Sequence, residues 1–325
     1  MKIFKDSFTK NIEYDKYFNG QSVCFLDIET TGFSRKYNII YLIGIVYYNQ
    51  DNNMWESRQI FADDKDSEKQ VLLKLIDYMK YFNLIVTYNG DSFDIPFINS
   101  RLKLYDIDFN LFSIENFDIY KSIKDNKIYL EYEDYKLKTI EKNLGIYRDD
   151  IYSGGDCIQF YKDYLKTEDK ILLDRILQHN YDDLFYLVDI IKIKDVLDAK
   201  RTIHTSNGKI IIESIISVGH IFKVEGDFYS SRSIKLIDYD ALYTINISKD
   251  KFNIEIAYNM GLVSPEEKGL FIDKNSFALE NIPTFNANYK VPDRFMLLQV
   301  DKKVFVENIK GITSKLIDRS IRKLM

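Results

Sequence analysis

Residues 24–32 read Cys-Phe-Leu-Asp-Ile-Glu-Thr-Thr-Gly, an apolar strand pattern that carries two acids and ends in a turn. Asp27 and Glu29 are two residues apart, so on a β-strand both side chains point to the same face. Two such carboxylates repel each other and are costly to bury, and a divalent cation would offset both costs. Ligands that are all oxygen favour Mg²⁺ or Mn²⁺. The alternative is a solvent-facing edge strand.

The composition predicts a folded protein that does not enter a membrane. The chain has 325 residues, of which 46% are hydrophobic, and it includes 22 Phe and 25 Tyr. No apolar run reaches the roughly 18 residues of a membrane span, and the N-terminus lacks the apolar core of a secretory signal. Cys24 and Cys157 are too few for a disulfide framework. We therefore expect a cytoplasmic protein with reduced thiols.

Charge is spread unevenly along a chain whose net charge is −5. Residues 1–200 carry 27 basic and 35 acidic residues, whereas residues 201–325 carry 18 and 15. An acidic N-terminal part suits a metal site, and a basic C-terminal tail suits contact with phosphates. The alternative for that tail is an amphipathic surface helix.

Alternation and helical periodicity predict mixed α/β structure up to about residue 200. Strands are expected over residues 24–32, 38–48, 54–61, 84–88 and 116–123, and helices over 67–82, 135–144, 157–165 and from 169 onward. Ser67 and Gln70 predict a capping box on the first of these helices. A loop is expected over 148–155.

Residues 203–325 form a separate β-rich pattern. Strands are expected over 209–218, 221–224, 234–247, 252–258, 268–272 and 295–306, followed by a helix over 312–324. Gly208 and Gly226 are predicted turns. His204 and His220 have no partners at metal-ligand spacing, which favours structural or surface roles. The pattern is typical of an antiparallel sheet that packs on one helix.

A second informative stretch, residues 88–96, reads Tyr-Asn-Gly-Asp-Ser-Phe-Asp-Ile-Pro and runs from the end of a strand into a helix. Pro96 suits the first turn of that helix. Asp94 is either a third acid beside those of the first stretch or an exposed residue that favours the helix dipole. Asp91 is the rival acid, and Ser92 or Asp91 is the expected cap.

A third stretch, residues 177–184, reads Leu-Gln-His-Asn-Tyr-Asp-Asp-Leu and is helical. Its apolar stripe is predicted to comprise Leu177, Tyr181, Leu184, Val188 and Ile191. His179 and Asp183 are four residues apart and share a face, which we expect roughly opposite the stripe. They are either a solvated ion pair or, given the acids that precede them, parts of a two-metal phosphodiester site.

The three stretches, in this order, resemble the three motifs of the DEDD (DnaQ-like) 3′–5′ exonucleases of the ribonuclease H-like fold. Within that superfamily residues 20–195 are most similar to YprB-type ribonuclease H-like domains, also through residues 137–146 and 148–151. The spacing of His179 and Asp183 departs from the DEDD subgroup that has His, which spaces its acid one residue further. Leu184 occupies that position and cannot bind a metal. YprB-type sequences combine His with the shorter spacing, which favours Asp183 over Asp182.

The resemblance implies a set of roles. The acids that would bind two divalent cations, Mg²⁺ or Mn²⁺, are Asp27, Glu29, Asp94 and Asp183. His179 would orient and deprotonate the attacking water, a task suited to histidine. The residues that would contact the terminal nucleotide are Thr30, Thr31, Gly32, Phe33 and Asn89. Phe33 would stack on its base, and Asp118 is expected to be structural.

These observations predict an α/β protein in which a ribonuclease H-like mixed sheet is flanked by helices over residues 1–200. A small α+β domain is expected over 201–325, and the sequence does not indicate its role. The predicted function is hydrolysis of DNA or RNA from the 3′ end to nucleoside 5′-monophosphates, with DNA favoured by the resemblance alone. An exoribonuclease and a non-catalytic nucleic-acid or partner-binding module are the alternatives.

Overall fold

The computed structural model describes residues 1–148 and 152–324. The chain divides into two compact units. The N-terminal unit comprises Met1–Asn126 and Tyr132–Lys194, and the C-terminal unit comprises Lys127–Glu131 and Asp195–Met325. We predicted two domains that meet at residue 200. Whether each of them folds independently stays a prediction. No helix in the described part of the chain is long and apolar enough to cross a membrane.

A six-stranded mixed sheet forms the centre of the N-terminal unit. Its strands are β1 (Lys2–Phe8), β2 (Val23–Thr30), β3 (Ile40–Asn49), β4 (Met54–Phe61), β5 (Leu84–Thr87) and β6 (Glu115–Asp118). The spatial order is β1-β4-β3-β2-β5-β6, in which β2 pairs antiparallel with β3 and parallel with β5. The strand with the two acids is therefore central, and the edge-strand alternative is wrong.

Helices cover this sheet and bury their apolar faces against it. They are α1 (Tyr14–Phe18), α2 (Glu68–Met79), α3 (Asp94–Leu104), α4 (Ile119–Asp125), α5 (Leu137–Asn143), α6 (Gly154–Thr167) and α7 (Lys170–Ile190), after which α8 (Ile193–Arg201) follows. A single core cluster includes Leu26 of β2, Ile43 of β3, Leu72 of α2, Ile98 of α3 and Ile176 of α7. The predicted mixed α/β architecture is confirmed.

Two local predictions for this unit need correction, and one segment carried no prediction. Ser67 makes no capping bond to α2, because its hydroxyl donates to Asp63 and Asp64 caps the short turn before it. The strand predicted over 116–123 ends at Asp118, whose carboxylate accepts from the Lys121 amide and starts α4. Residues 1–20, which carried no predicted element, form β1 and α1.

The loop predicted over 148–155 lies partly outside the described residues, which omit 149–151. The helix that follows starts three residues before the predicted position. Ser153 caps α6 through a capping box, in which its hydroxyl oxygen accepts from the amide of Asp156 and the Asp156 carboxylate accepts from the Ser153 amide.

The C-terminal unit contains two antiparallel sheets. The first comprises β7 (Thr202–Thr205), β8 (Gly208–Val218), β9 (Ile221–Tyr229), β10 (Leu236–Tyr239), β11 (Tyr243–Ser248) and β12 (Lys251–Ala257). The second comprises β13 (Asn259–Leu262), β14 (Lys268–Asp273), β15 (Phe295–Val300) and β16 (Lys303–Val304). Helix α9 (Val306–Arg322) buries Ile309, Ile312 and Leu316 in the same core as the first sheet. The β-rich segment with a final helix is confirmed.

Two details of this unit differ from expectation. Gly226 lies inside β9, not in a turn, and a Cβ there would sit 1.9 Å from the Ile211 carbonyl oxygen beside the bulge in β8. The strand predicted over 234–247 is broken between β10 and β11. The basic tail is an amphipathic helix in which Arg319 donates to the Phe277 carbonyl and Lys323 to Asp238. The tail is thus an amphipathic helix, and its contact with phosphates stays a prediction.

Candidate active site

The acids of the first stretch lie on β2 and point to one face of the sheet. Alternation along the strand puts Asp27 and Glu29 on the same side. Glu29 is 9% exposed, and its Oε2 accepts from the Tyr41 hydroxyl at 3.3 Å. Asp27 is half-buried, and its Oδ2 accepts from the Asn180 amide at 2.7 Å. Both acids therefore meet neutral donors.

Asp94 joins this pair from the first residue of α3. Its side chain is 5% exposed, and its Oδ1 accepts from the Ile28 amide, between the two β2 acids, at 3.1 Å. The alternative of an exposed acid at the helix start is thus wrong. The expected caps also differ, since Phe93 occupies the N-cap position of α3 without a side-chain bond. Asp91 bonds Lys121 at the surface instead.

Helix α7 brings His179 and Asp183 to the same place. His179 Nε2 lies 3.6 Å from Glu29 Oε1 and 3.9 Å from Asp183 Oδ2. The side chains of His179 and Asp183 are 11% and 21% exposed, so a solvated surface pair is the wrong interpretation. The next residue, Leu184, is fully buried in the core.

The predicted apolar face of α7 needs correction. The buried row along the helix includes Leu173, Ile176, Asn180, Leu184, Leu187 and Val188, so Leu184 and Val188 of the predicted stripe are confirmed. Leu177 and Tyr181 lie beside this row and are half-buried. His179 therefore borders the face that meets β2, whereas the sequence placed it roughly opposite. The polar residue Asn180 within the row concealed the true periodicity.

Burial and mutual repulsion shift the acids toward the protonated form. Burial raises the pKa of Asp27 well above its usual range, and the charges of Asp94, Glu29 and Asp183 raise it further. Burial raises the pKa of Glu29 to about 8, with a further contribution from Asp183. Burial raises the pKa of Asp94 to about 7. The cluster is therefore short of positive charge at neutral pH.

Besides Tyr41, two residues that were not predicted for the site contact its acids. Arg148 donates to Asp183 Oδ1 at 2.7 Å and to Glu141 at 3.0 Å, and its side chain is 6% exposed. Asn180 contacts Asp27 as described. Its place in the buried row of α7, at spacings of three and four, was a readable signal. No sequence pattern indicated Arg148, because its contact with Asp183 depends on tertiary packing.

The donor chemistry of the cluster fits hard divalent cations. The carboxylates supply only oxygen, which Mg²⁺ and Mn²⁺ prefer. The raised pKa values mark a place where a cation would relieve repulsion. Among residues 1–148 and 152–324, no three acidic, His or Cys side chains already converge as a coordination sphere. Asn180 and Arg148 hold oxygens of Asp27 and Asp183 instead.

The predicted substrate residues lie in the turn after β2 and in the loop after β5. Thr30 Oγ1 donates to the Gly32 carbonyl at 2.9 Å, and the Thr31 hydroxyl oxygen accepts from the Ile39 amide. Gly32 has a φ of +152°, and a Cβ there would lie 2.9 Å from Asn38 Oδ1. The turn is therefore closed by its own side chains.

Two side chains near this turn differ in exposure. Phe33 is 89% exposed, and its ring is 6.2 Å from that of Phe93. Asn89 has a left-handed φ of 66°, and its backbone amide donates to the Asp118 carboxylate at 2.9 Å. Asp118 also accepts from the Asp91 amide and caps α4, which agrees with the structural role expected for it.

Comparisons with known proteins match the N-terminal unit. A family model described as the RNase_H superfamily matches residues 24–194, more than half of the chain. A DNA polymerase of Methanocaldococcus jannaschii is 47% identical over 45 residues, which are 14% of this chain and 3% of the polymerase. The solved family B DNA polymerase of Pyrobaculum calidifontis aligns with 54% of this chain and 24% of its own, at a TM-score of 0.40 and 15% identity. The chain thus spans a small part of either polymerase.

Proposed function

The chain belongs to the RNase_H superfamily, and from that premise we propose that it is a metal-dependent 3′–5′ exonuclease of the DEDD type, similar to YprB-type domains. The superfamily membership confirms the predicted ribonuclease H-like fold. The proposed substrate is the 3′ end of a nucleic acid, and the proposed product is a nucleoside 5′-monophosphate. Similarity to a DNA polymerase over 45 residues supports DNA over RNA.

One observation carries the proposal. Three elements that are distant in sequence bring titratable side chains near one another. Asp94 bonds the Ile28 amide between Asp27 and Glu29, and His179 lies 3.6 Å from Glu29 and 3.9 Å from Asp183. Burying so many acids together is unfavourable unless a ligand compensates their charge. Asp183 has the buried guanidinium of Arg148 as a partner, whereas Asp27, Glu29 and Asp94 accept from neutral donors. The non-catalytic alternative gains no comparable support.

The proposed roles follow from position. The four acids would hold two divalent cations, Mg²⁺ or Mn²⁺, which when bound supply Lewis-acid stabilisation of the charge that develops on the phosphate. His179 lies beside the acids, with Nε2 3.6 Å from Glu29 Oε1, and would accept the proton of the attacking water. The exposed ring of Phe33 would stack on the terminal base. Thr30, Thr31, Gly32 and Asn89 would place the backbone of the turn and loop beside that nucleotide.

The test uses 5′-labelled single-stranded DNA and RNA with Mg²⁺, Mn²⁺ or EDTA. We expect products that shorten stepwise from the 3′ end, only with metal, and faster on DNA. Asp183→Asn should abolish this ladder. Asp182→Asn is the matched control, because its carboxylate accepts from Gln178 on the other side of α7 and should leave the rate unchanged.

Other outcomes are equally informative. Faster shortening of RNA would replace DNA by RNA as the substrate. Binding of either strand without cleavage, unaffected by Asp183→Asn, would reject the exonuclease and favour a binding module.

A further inference from the structure

Asn180 is a buried amide that connects the centre of α7 to the candidate metal site. Its side chain is fully buried, and its Nδ2 donates to Asp27 Oδ2 at 2.7 Å. On its other side, Oδ1 accepts from Gln59 Nε2 of β4 at 3.0 Å. Both ends of the amide are therefore bonded inside the protein.

The orientation of this amide follows from a backbone group that has only one possible role. Gln59 Nε2 also donates to the carbonyl oxygen of Leu177 at 2.8 Å, and a carbonyl oxygen can only accept. The Gln59 atom at this point must therefore be the nitrogen. The Asn180 atom that faces it must be the oxygen, which turns the Asn180 nitrogen toward Asp27. The fold thus directs a hydrogen-bond donor, and not an acceptor, toward the Asp27 carboxylate.

The sheet provides the space that this arrangement needs at Gly44. Gly44 of β3 lies opposite Asp27 of β2 in the register. A Cβ on Gly44 would sit 2.2 Å from Asn180 Oδ1 and 2.4 Å from a methyl carbon of Leu184. Any side chain at this position would displace the amide. A glycine inside a strand weakens the strand, and close approach of another group is a common reason for it.

A carboxylate that binds a metal is better served by a neutral amide partner than by a charged one. An Arg or Lys at this position would neutralise Asp27 and compete with a cation for it. An Asp or Glu would add a further negative charge to acids that already repel one another. A neutral donor holds one oxygen of Asp27 while it leaves the charge of the carboxylate available.

We propose that Asn180, oriented by Gln59 and accommodated by Gly44, is a positioning residue that holds Oδ2 of Asp27 and leaves Oδ1 for a divalent cation. This inference rests on the proposed function, because it assigns a metal to Asp27. Groups that orient metal ligands typically change metal affinity by about 10- to 100-fold when they are removed.

The test measures Mn²⁺ binding directly, by the electron paramagnetic resonance signal of free Mn²⁺ and by calorimetry, without substrate. Asn180→Ala should weaken binding by about 10- to 100-fold. The matched control is Asn308→Ala. Asn308 is also fully buried, and it donates to backbone carbonyls of Leu297 and Phe285 in the C-terminal unit. Its loss should lower stability and leave Mn²⁺ affinity unchanged.

A second variant keeps the test decisive if Asn180→Ala does not fold. Gln59→Met removes the donor that orients Asn180 while it keeps a side chain of similar length. It should weaken Mn²⁺ binding in the same direction by a smaller factor. Folding of each variant is checked by circular dichroism and urea unfolding.

The outcomes separate this inference from the proposed function. Unchanged Mn²⁺ affinity in folded Asn180→Ala or Gln59→Met, with normal binding by the unmodified protein, would overturn the positioning role alone. Absence of Mn²⁺ binding by the unmodified protein would overturn the metal-dependent function, and the positioning role with it.

Discussion

Two sets of buried carboxylates in the N-terminal unit have opposite surroundings. Glu68, at the start of α2, is fully buried and accepts from the Arg101 guanidinium, the Tyr105 hydroxyl and the Ile40 amide. Arg101 is only 4% exposed, so the whole ion pair is withdrawn from water. Glu68 is thus compensated by a full positive charge within the fold.

The acids of the candidate site on β2 and α3 have different partners. Asp27, Glu29 and Asp94 accept from an amide, a hydroxyl and a backbone N–H, all of them neutral. The nearby guanidinium of Arg148 is bonded to Asp183 and Glu141. The same unit can therefore neutralise a buried acid completely when the acid is structural. The neutral surroundings of Asp27 suggest that the compensating charge there comes from a ligand.

The largest effect is expected when an acid of the candidate site is removed. Asp27→Asn removes a proposed metal ligand and should lower kcat/KM on single-stranded DNA by about 10⁴-fold, or about 5.5 kcal/mol of activation free energy. The melting temperature without metal should not fall, because Asn is neutral in a cluster where burial and neighbouring acids disfavour a charge. Activity within about tenfold of the unmodified protein would remove Asp27 from the mechanism.

The next effect concerns the compensated acid. Arg101→Met leaves Glu68 buried without its cation and should lower the free energy of unfolding by about 4 kcal/mol, measured by urea denaturation. The double variant Glu68→Leu, Arg101→Met should recover much of this loss, since it removes both charges. Mn²⁺ affinity of the folded variant should stay unchanged. A change in Mn²⁺ affinity would show that the two sets of acids are coupled.

The pH dependence of stability distinguishes the acids of the candidate site from Glu68. The folded state of the metal-free protein retains protons on Glu29, with a pKa of about 8, and Asp94, with a pKa of about 7, that the unfolded chain releases near pH 4. The free energy of unfolding should therefore fall as the pH rises from about 4 through about 8, by at least about 2 kcal/mol.

Mn²⁺ and a charge-deleting variant provide the controls for that titration. Urea unfolding at pH 5, 6, 7 and 8 should show a smaller loss with saturating Mn²⁺ and in Glu29→Gln. Stability that rises over this pH range would contradict the raised pKa values.

The smallest effect is expected outside both sets of acids. Phe33→Ala removes an exposed ring and should weaken binding of single-stranded DNA by about fivefold, or about 1 kcal/mol, through lost stacking on the terminal base. The free energy of unfolding should change by less than about 0.5 kcal/mol. Tyr81→Ala, at an exposed aromatic residue after α2, is the control and should leave DNA binding unchanged. Equal effects of both variants would indicate nonspecific contact.

Local patterns in the sequence were sufficient for much of the fold. The alternation around Asp27 predicted a strand, and the spacing of Asp27 and Glu29 predicted a shared face, because neighbouring residues on a strand point to opposite sides. Periodicity also predicted α2, α6 and α7, with errors at their ends. Helix ends depend on single capping bonds, which explains why Ser67 was misassigned while Ser153 was not noticed.

The acids, the order of the three stretches and the likeness to the exonuclease motifs are all evident from the sequence. The fold was needed to show that β2 is central, that Asp94 bonds the β2 backbone and that His179 borders Glu29. Asn180 and Gln59 also needed the fold, because 121 residues separate them along the chain. The physical reason is that periodicity reports which face of an element is apolar, whereas partners across a sheet and a helix are set by packing in three dimensions.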